Sequence, residues 1–209
     1  FTTATLLIIS TLYFFINDFS HWNMRLADQI NVSIFQAVSP RTAGFNTADL
    51  DKMTDSGKMG MVLLMVIGGS PGSTAGGMKT TTAAVLFAMA ISVFRKNEQA
   101  HLYNRRIAEE TQRNAATIFV LYMMLFTGSA MFISYLEKVP LVTAFFETGS
   151  AIGTVGLSLG LTPTLCLASR LVLICLMFFG RVGGLTLIFA TVSGKRTEYK
   201  YPQEKINVG

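Results

Sequence analysis

The chain has 209 residues, of which 51% are hydrophobic and only 14% are charged, and its mean hydropathy is +0.47. This composition has too few polar residues for a water-soluble globule, a disordered tail or a collagen. Two cysteines are also too few for a disulfide scaffold. The net charge of +5 does not indicate a nucleic-acid partner, because the basic residues are not interleaved with aromatic residues on a soluble surface. Membrane topology explains these charges better. The sequence therefore predicts an all-α integral membrane protein, with lipid as its surroundings.

Four apolar stretches of about 20 residues are candidate membrane helices. Three of them carry no charged residue, and the last carries only Arg181. They are residues 1–16, 59–78, 114–136 and 171–194. Because residue 1 already lies inside an apolar run, we expect the chain to be a fragment of a longer protein.

The second apolar stretch continues past Lys79 to Phe94. A continuous helix over residues 59–94 would be about 54 Å long, against a hydrocarbon core of about 30 Å. Residues 68–77 contain five glycines and a proline, and this predicts a break in the helix. Irregular backbone at membrane depth needs protein or a water-filled cavity to satisfy its peptide groups, so the break indicates a pore.

Two further apolar stretches, residues 27–39 and 139–152, are too short to span a membrane. Each precedes a glycine-containing segment with turn-forming or polar residues after it. This pattern predicts two re-entrant half-helices, each followed by a return loop.

The chain repeats with an offset of 112 positions, which aligns Thr42-Ala43-Gly44-Phe45 with Thr154-Val155-Gly156-Leu157. The same offset aligns the first apolar run with the third. We therefore predict two tandem units, residues 1–112 and 113–209, each composed of a helix, a half-helix, a loop and a helix.

Charge in the short loops predicts the orientation in the membrane. Five Lys or Arg residues lie within residues 95–113 and four lie within 195–205, so loop 95–113 and tail 195–209 are assigned to the cytoplasm. The opposite side has a modest acidic excess that would raise the local cation concentration. Its charged residues are Asp18, Arg25, Asp28, Asp49, Asp51, Lys52, Asp55, Lys58, Glu137 and Lys138.

The segment Thr154-Val155-Gly156-Leu157-Ser158 has the form of a potassium-selective filter, in which backbone carbonyls after a re-entrant helix replace the water around the ion. Glycine leaves the path free of a side chain and allows unusual backbone angles. A single Thr-Val-Gly triplet could occur by chance. Thr42-Ala43-Gly44-Phe45-Asn46 occupies the same place in the other unit, and chance matches would not share this register.

Three motifs together resemble the Trk/Ktr/HKT superfamily of potassium transporters, and the end of the chain, with Tyr201-Pro202, resembles the bacterial Ktr membrane subunit. The resemblance covers essentially the whole chain. The motifs are Ser39-Pro40-Arg41-Thr42-Ala43-Gly44-Phe45-Asn46-Thr47, the glycine-rich break that ends in Ala75-Gly76-Gly77-Met78-Lys79-Thr80, and Gly153-Thr154-Val155-Gly156-Leu157-Ser158.

The resemblance implies a role for each motif. One polypeptide of this superfamily holds four pore repeats around one ion path, and this chain resembles the third and fourth, so the first two would lie upstream. The filter would consist of Thr42, Ala43, Gly44, Phe45, Thr154, Val155, Gly156 and Leu157, with K⁺ at the backbone carbonyls of Thr42, Gly44, Thr154 and Gly156. The gate would consist of Gly68, Gly69, Ser70, Pro71, Gly72, Ser73, Thr74, Ala75, Gly76, Gly77 and Arg181.

The resemblance also implies a homodimer in the plasma membrane and a cytoplasmic ring of nucleotide-binding regulatory subunits. It implies no cofactor and no catalysis, with K⁺ as the transported ion. Passive flow and coupling to a sodium or proton gradient both stay open. The alternative from another class is a membrane scaffold whose duplicated loops only contribute packing.

Two motifs match enzyme signatures in part. Residues 68–72 fit the pattern G-x-S-x-G with Ser70 as nucleophile, but the two histidines, His21 and His101, lie in predicted polar loops. Residues 72–80 approach a phosphate-binding loop, but Met78 interrupts the motif and no strand precedes it. An intramembrane serine hydrolase is therefore the weaker alternative.

Three further side chains allow more than one interpretation. Glu147 on the second half-helix is predicted to hydrogen-bond the loop behind the filter rather than bind the ion. Arg41 is predicted to brace the first filter loop, because it would repel a cation. Cys166 and Cys175 are predicted to be small buried residues on opposite faces of a helix, out of reach of each other.

Overall fold

The structure, a computed structural model, describes residues 2–96, 100–102 and 105–183. These residues form seven α-helices and two strands of two residues each. The helices are α1 (Thr2–Asn17), α2 (Leu26–Val38), α3 (Asp55–Ile67), α4 (Thr80–Phe94), α5 (Glu109–Glu137), α6 (Leu141–Ile152) and α7 (Leu167–Val182), and the strands are β1 (His101–Leu102) and β2 (Arg105–Arg106).

Two described helical segments are long and apolar enough to cross a membrane, Thr2–His21 and Glu109–Glu137. At about 1.5 Å per residue, α5 alone is about 43 Å long, more than a hydrocarbon core of about 30 Å. Its acidic first turn, Glu109 and Glu110, complements the positive end of the helix dipole.

Short helices, α2 and α6, occupy both stretches that the sequence predicts as half-helices. Observed α2 begins at Leu26, and α6 begins at Leu141 directly after Pro140. Proline suits a helix start because its missing N–H group would have no partner within the helix there. Both helices are about 20 Å or less in length, too short to span the core of a bilayer.

The short helix α6 lies at the centre of the described fold. It packs against α3, α5 and α7, while α2 packs against α1. Phe146 and Ile152 of α6 are buried together with Met61 and Met65 of α3 and Tyr122 of α5. The close packing of these side chains holds α6 in place, and α6 in turn fixes the position of the loop that follows it.

The helix break lies where the sequence predicts it. Helix α3 ends at Ile67 and α4 begins at Thr80, with no helix over residues 68–79. The amide of Gly68, with a φ of 72°, donates to the Leu64 carbonyl and closes α3. Only glycine adopts this backbone angle without strain.

Two expectations for the last helix need correction. Helix α7 starts at Leu167 rather than at residue 171, and Cys166 precedes it as the N-cap. Both cysteines are exposed, not buried. The buried face of α7 carries other residues, Ser169, Leu173, Leu176 and Gly180, so Cys175 lies on a different face. Residues 184–194 of the predicted span lie outside the described residues.

The segment assigned as loop 95–113 contains regular structure. Strands β1 and β2 pair antiparallel, with His101 opposite Arg106, and α5 already begins at Glu109. Arg113 therefore lies on a helix rather than in a loop. The predicted tail, residues 195–209, lies outside the described residues.

Two carboxylates fasten neighbouring helices at one end of the fold. Asp18, just after α1, accepts from the backbone amide of Thr54, the N-cap residue of α3, at 2.8 Å. Glu137, the last residue of α5, accepts from the backbone amide of Cys166 at 2.9 Å. Thr54 and Cys166 are related by the offset of 112 positions, so an acid serves the same helix start in both halves.

Candidate functional site

The first predicted filter loop follows α2 and has unusual backbone angles. Thr42 and Gly44 have φ angles of 70° and 75°. Such an angle is strained for a β-branched residue such as threonine. The amides of Ala43 and Gly44 both donate to the Ser39 carbonyl, at 3.1 and 3.2 Å, and hold the loop against the end of α2. The Ser39 hydroxyl donates to the Phe45 carbonyl.

The second predicted filter loop follows α6 with the same pattern. Thr154 and Gly156 have φ angles of 50° and 91°. The amide of Val155 donates to the Ser150 carbonyl at 2.9 Å, and the amide of Gly156 donates to the Ser150 hydroxyl at 3.1 Å. Strained residues of this kind cost about 1–3 kcal/mol each and cluster at functional sites. Left-handed angles thus fall on the same two positions of both loops, strained at Thr42 and Thr154 but accessible to glycine at Gly44 and Gly156.

The two loops contact each other directly. The Thr42 hydroxyl donates to the Gly153 carbonyl at 3.1 Å. A Cβ atom at Gly44 would collide with the Val155 carbonyl oxygen, so the backbones approach as closely as glycine allows. Segments that are 112 positions apart in the sequence therefore form one continuous site.

The glycine-rich segment, residues 68–77, folds back on itself. A Cβ atom at Gly68 would collide with the Gly76 carbonyl, and one at Gly77 would lie 2.9 Å from the Gly68 Cα. The amide of Met78 donates to the Val66 carbonyl at 3.1 Å and joins the two ends of the loop. We call this segment the intramembrane loop.

The intramembrane loop lies against the second filter loop. A Cβ atom at Gly76 would collide with the Thr154 hydroxyl and lie 2.8 Å from the Gly153 carbonyl. The Thr154 Oγ1 atom is buried and has no hydrogen-bond partner within the described part of the chain. The intramembrane loop and the predicted second filter loop therefore contact each other at Gly76.

Three basic side chains hold carbonyls of the intramembrane loop, two of them from distant parts of the sequence. Because carbonyls of an irregular loop lack helical partners, such donors stabilise it at membrane depth. Arg41 Nε donates to Gly68 at 3.4 Å, Arg181 Nη1 donates to Thr74 at 2.6 Å, and Lys79 Nζ donates to Ala75.

A cavity of about 450 Å³ opens beside the second filter loop. Residues 154–158 line it, together with Glu147, Leu173, Met177 and Arg181. Arg181 thus faces both this cavity and the intramembrane loop. Its hydrogen bond to Thr74 satisfies a carbonyl of that loop at the edge of a mainly apolar cavity.

The Glu147 contacts agree with its predicted place behind the second filter loop, whereas Arg41 bonds the glycine-rich segment and not the first filter loop that it was predicted to brace. The Glu147 carboxylate accepts from Ser158, Leu159 and Thr162, all behind or after the second filter loop. The Arg41 guanidinium reaches the intramembrane loop. Neither contact requires an ion.

The Ser70 hydroxyl has a different partner from the one a hydrolase needs. It lies 3.0 Å from the Thr3 hydroxyl of α1. A nucleophilic serine needs a base within hydrogen-bond reach, and threonine cannot act as that base. The contact instead attaches the intramembrane loop to α1.

Two of the acidic residues that the sequence assigns to the side opposite the cytoplasm are bonded to other groups of the protein. Asp18 is buried and serves the start of α3, so it adds no open surface charge. Asp49 forms an ion pair with Lys52 at 3.0 Å, and its hydrogen bond with Lys52 holds the pKa of the Asp49 carboxyl below its ordinary value. The acidic excess available to a cation is correspondingly smaller.

Sequence reasoning missed Lys79 as a part of the site. Lys79 has a φ of 77° and donates back to the loop that precedes it. The sequence does contain a signal for this role. A basic residue that follows a glycine-rich break predicted within the membrane needs a hydrogen-bond acceptor nearby. The hydroxyl bridge from Thr42 to the other filter loop had no sequence signal, since it depends on how the halves pack.

The sequence matches the family described as TrkH, cation transport protein, over residues 1–199. The chain belongs to this family. It is 37% identical to the potassium/sodium uptake protein NtpJ of Enterococcus hirae, and 34% identical to the Ktr system potassium uptake protein B of Bacillus subtilis. Both alignments cover 99% of this chain and 48% of the relative. The family consists of transporters rather than enzymes.

The fold resembles a crystal structure of the potassium transporter TrkH from Vibrio parahaemolyticus, with a TM-score of 0.78 and 20% sequence identity. The match covers 92% of this chain and 43% of that one. The all-helical membrane-transporter fold is therefore confirmed. The chain spans about half the length of the relatives it matches.

Proposed function

We propose that this chain forms half of a potassium-translocating pore, with residues 42–45 and 154–157 as two of its filter loops. The supporting observation is the matched backbone of two touching loops, with left-handed angles at Thr42 and Gly44 and again at Thr154 and Gly156. Alternating handedness turns successive carbonyls toward one side, as the coordination of a dehydrated cation requires. The ligands are the backbone carbonyls of these four residues, without a cofactor.

The ion assignment follows from the chemistry of these loops and from the relatives. Carbonyl oxygens without side-chain charges suit a large monovalent cation that sheds its water. The two relatives are named for potassium uptake, and NtpJ is named for sodium as well. Transport is passive or coupled to an ion gradient, since either mode uses the same filter.

The gate consists of the intramembrane loop and Arg181. Support comes from three contacts: Gly76 lies against the base of the second filter loop, Thr74 accepts from Arg181, and Gly68 accepts from Arg41. In this position the loop obstructs the path below the filter, and the charge of Arg181 repels a cation in the adjoining cavity. Releasing the Arg181 hydrogen bond frees the loop to move.

The assembly follows the same proposal. Residues 1–112 and 113–209 are two pore repeats, and an upstream half of the protein supplies the other two. The protein is a multi-pass homodimer in the plasma membrane, with residues 95–113 and 195–209 in the cytoplasm. A ring of nucleotide-binding regulatory subunits binds that cytoplasmic surface.

Thermal protection by the ion tests the proposal against a scaffold without transport. A ligand that binds only the folded state stabilises it by RT ln(1 + [L]/Kd). We expect potassium chloride to raise the Tm of the purified intact protein above that in choline chloride of equal concentration, with a sodium chloride sample for comparison. Equal Tm values in all three salts would contradict ion binding and favour the scaffold.

A further inference from the structure

The two filter loops are held from behind by different chemistry. Asn46 and Ser158 are related by the offset of 112 positions, and each bonds to the half-helix before it. Asn46 Oδ1 accepts from Gln36 Nε2 at 3.4 Å, a weak contact between neutral amides. The Ser158 hydroxyl donates to Glu147 Oε1 at 2.6 Å, a short bond to a carboxylate. Of these two equivalent contacts, the one on the second loop is therefore the stronger.

The Glu147 carboxylate uses both of its oxygen atoms in this brace. Oε1 also accepts from the Leu159 amide at 3.0 Å, and Oε2 accepts from the Thr162 hydroxyl at 2.7 Å. All three partners donate, which suits a carboxylate because it only accepts. Glu147 is 3% exposed, whereas Thr162 is exposed, so the network lies at the edge of the buried region. A buried acid thus holds the chain on both sides of Gly160.

The same carboxylate borders the candidate ion path. Glu147 and residues 154–158 line one cavity of about 450 Å³, with Arg181 as the basic residue of that lining. A fixed charge acts more strongly in such a partly enclosed site than in water. The neutral Gln36–Asn46 brace gives the first loop no comparable charge.

We propose that Glu147 is a positioning residue that sets the cation affinity and specificity of the pore. It holds the outer end of the second filter loop and places a negative charge behind it, without contacting the ion. The second loop is consequently the tighter and more cation-attracting of the two. The proposal depends on the filter assignment proposed above.

The test is rubidium uptake by the intact protein in liposomes, normalised to inserted protein. Glu147→Gln preserves the shape of the side chain but removes the charge and turns one acceptor into a donor facing donors. We expect the rubidium concentration for half-maximal uptake to rise about tenfold, as the loss of a charged hydrogen-bond network predicts. Maximal uptake should change by less than about twofold, because the gate contacts do not involve Glu147.

Two further variants separate charge from bracing and from general damage. Thr162→Val removes one of the three bonds but keeps the carboxylate, so a smaller rise, about two- to threefold, is expected. Thr148→Val is the matched control on the same half-helix, because its hydroxyl bonds only carbonyls of α6, including that of Ala144 at 2.9 Å. It should leave half-maximal uptake unchanged.

The outcomes distinguish this inference from the proposed function. If Glu147→Gln leaves half-maximal uptake unchanged while Gly156→Ser alters selectivity, the role of Glu147 is overturned and the filter assignment stands. If neither variant alters ion preference or affinity, the filter assignment fails as well. A loss of inserted protein in Glu147→Gln with unchanged half-maximal uptake assigns Glu147 to folding alone and also overturns the inference.

Discussion

Gly44 and Gly156, the glycines of the two proposed filter loops, have similar φ angles but different surroundings. Around Gly156, an added Cβ atom would meet nothing within 4 Å, whereas at Gly44 it would collide with the Val155 carbonyl oxygen. A side chain at Gly156 therefore extends into open space, and one at Gly44 displaces part of the opposite loop. The same substitution should consequently have two different effects.

We predict that Gly156→Ser weakens the preference for potassium over sodium while the protein still inserts. Gly44→Ser should weaken the same preference and also lower the amount of inserted protein, because Val155 must shift. Serine at either position also costs about 1 kcal/mol or more, because only glycine adopts the left-handed backbone without strain. Rubidium uptake competed by sodium measures the preference, and immunoblotting measures insertion. Unchanged competition in both variants would refute the filter assignment.

Residue-level contacts show where sequence reasoning reaches its limit. The motif positions Thr42 and Thr154 could be found from the offset of 112 positions, because repeated register is a property of the sequence. Their different environments could not be found. The Thr42 hydroxyl bonds the Gly153 carbonyl, whereas the Thr154 hydroxyl lies buried against Gly76. Such differences arise from how the two halves pack.

At the scale of elements, length and glycine content predicted most of the helices. The half-helices α2 and α6 and the break after Ile67 follow from apolar runs that are too short or interrupted. The start of α7 was misplaced by four residues because Leu167 begins the helix before the uncharged run begins, with Arg170 inside its first turn. A membrane helix can carry a charged residue near its end. Defining the span as a run without charged residues therefore placed its start after Arg170.

At the scale of elements, we predict that loosening or deleting the intramembrane loop raises ion flux. Arg181→Ala removes the 2.6 Å hydrogen bond to Thr74, and deletion of residues 70–76 removes most of the proposed gate. Both changes should raise ion flux per inserted protein, several-fold or more, and make it less dependent on the regulatory subunit. Flux in liposomes, normalised to inserted protein, is the measurement.

Arg170→Ala is the matched control for the arginine. Arg170 also lies on α7 and donates to a backbone carbonyl, that of Pro163 at 2.9 Å, but far along the helix from the intramembrane loop. It should leave flux near the wild-type value. If Arg181→Ala and the loop deletion both lower flux, the loop and the arginine serve packing and the gate assignment is wrong.

At the scale of the whole molecule, the paired strands β1 and β2 carry exposed basic residues. Arg105 and Arg106 form β2 and are exposed, and Arg106 lies 3.5 Å from Glu109 in an exposed ion pair. Exposed pairs of this kind contribute less than about 1 kcal/mol, so the fold does not depend on them. The charges are available for association with an acidic surface.

We predict that replacing Arg105 and Arg106 with alanine weakens binding of the soluble regulatory subunit about tenfold or more, without altering ion selectivity. In the described part of the chain, β1 packs against α4 and pairs with β2, so the proposed filter loops should keep their ion preference. Pull-down of the subunit at two salt concentrations measures the binding, and rubidium competition serves as the control. Wild-type binding in the variant would place the docking surface elsewhere.

The carboxylate contacts at Thr54 and Cys166 have a mechanical consequence for the molecule. Both tie the start of a second helix to the end of a first helix, at equivalent positions of the two halves. The break after Ile67 lies a full helix away from the Asp18 contact, at the opposite end of α3. The start of α3 is therefore anchored independently of the glycine-rich segment at its other end. Loss of the contacts around residues 68–77 would leave the Asp18 bond to Thr54 intact, so a rearrangement of that segment does not have to release the whole helix.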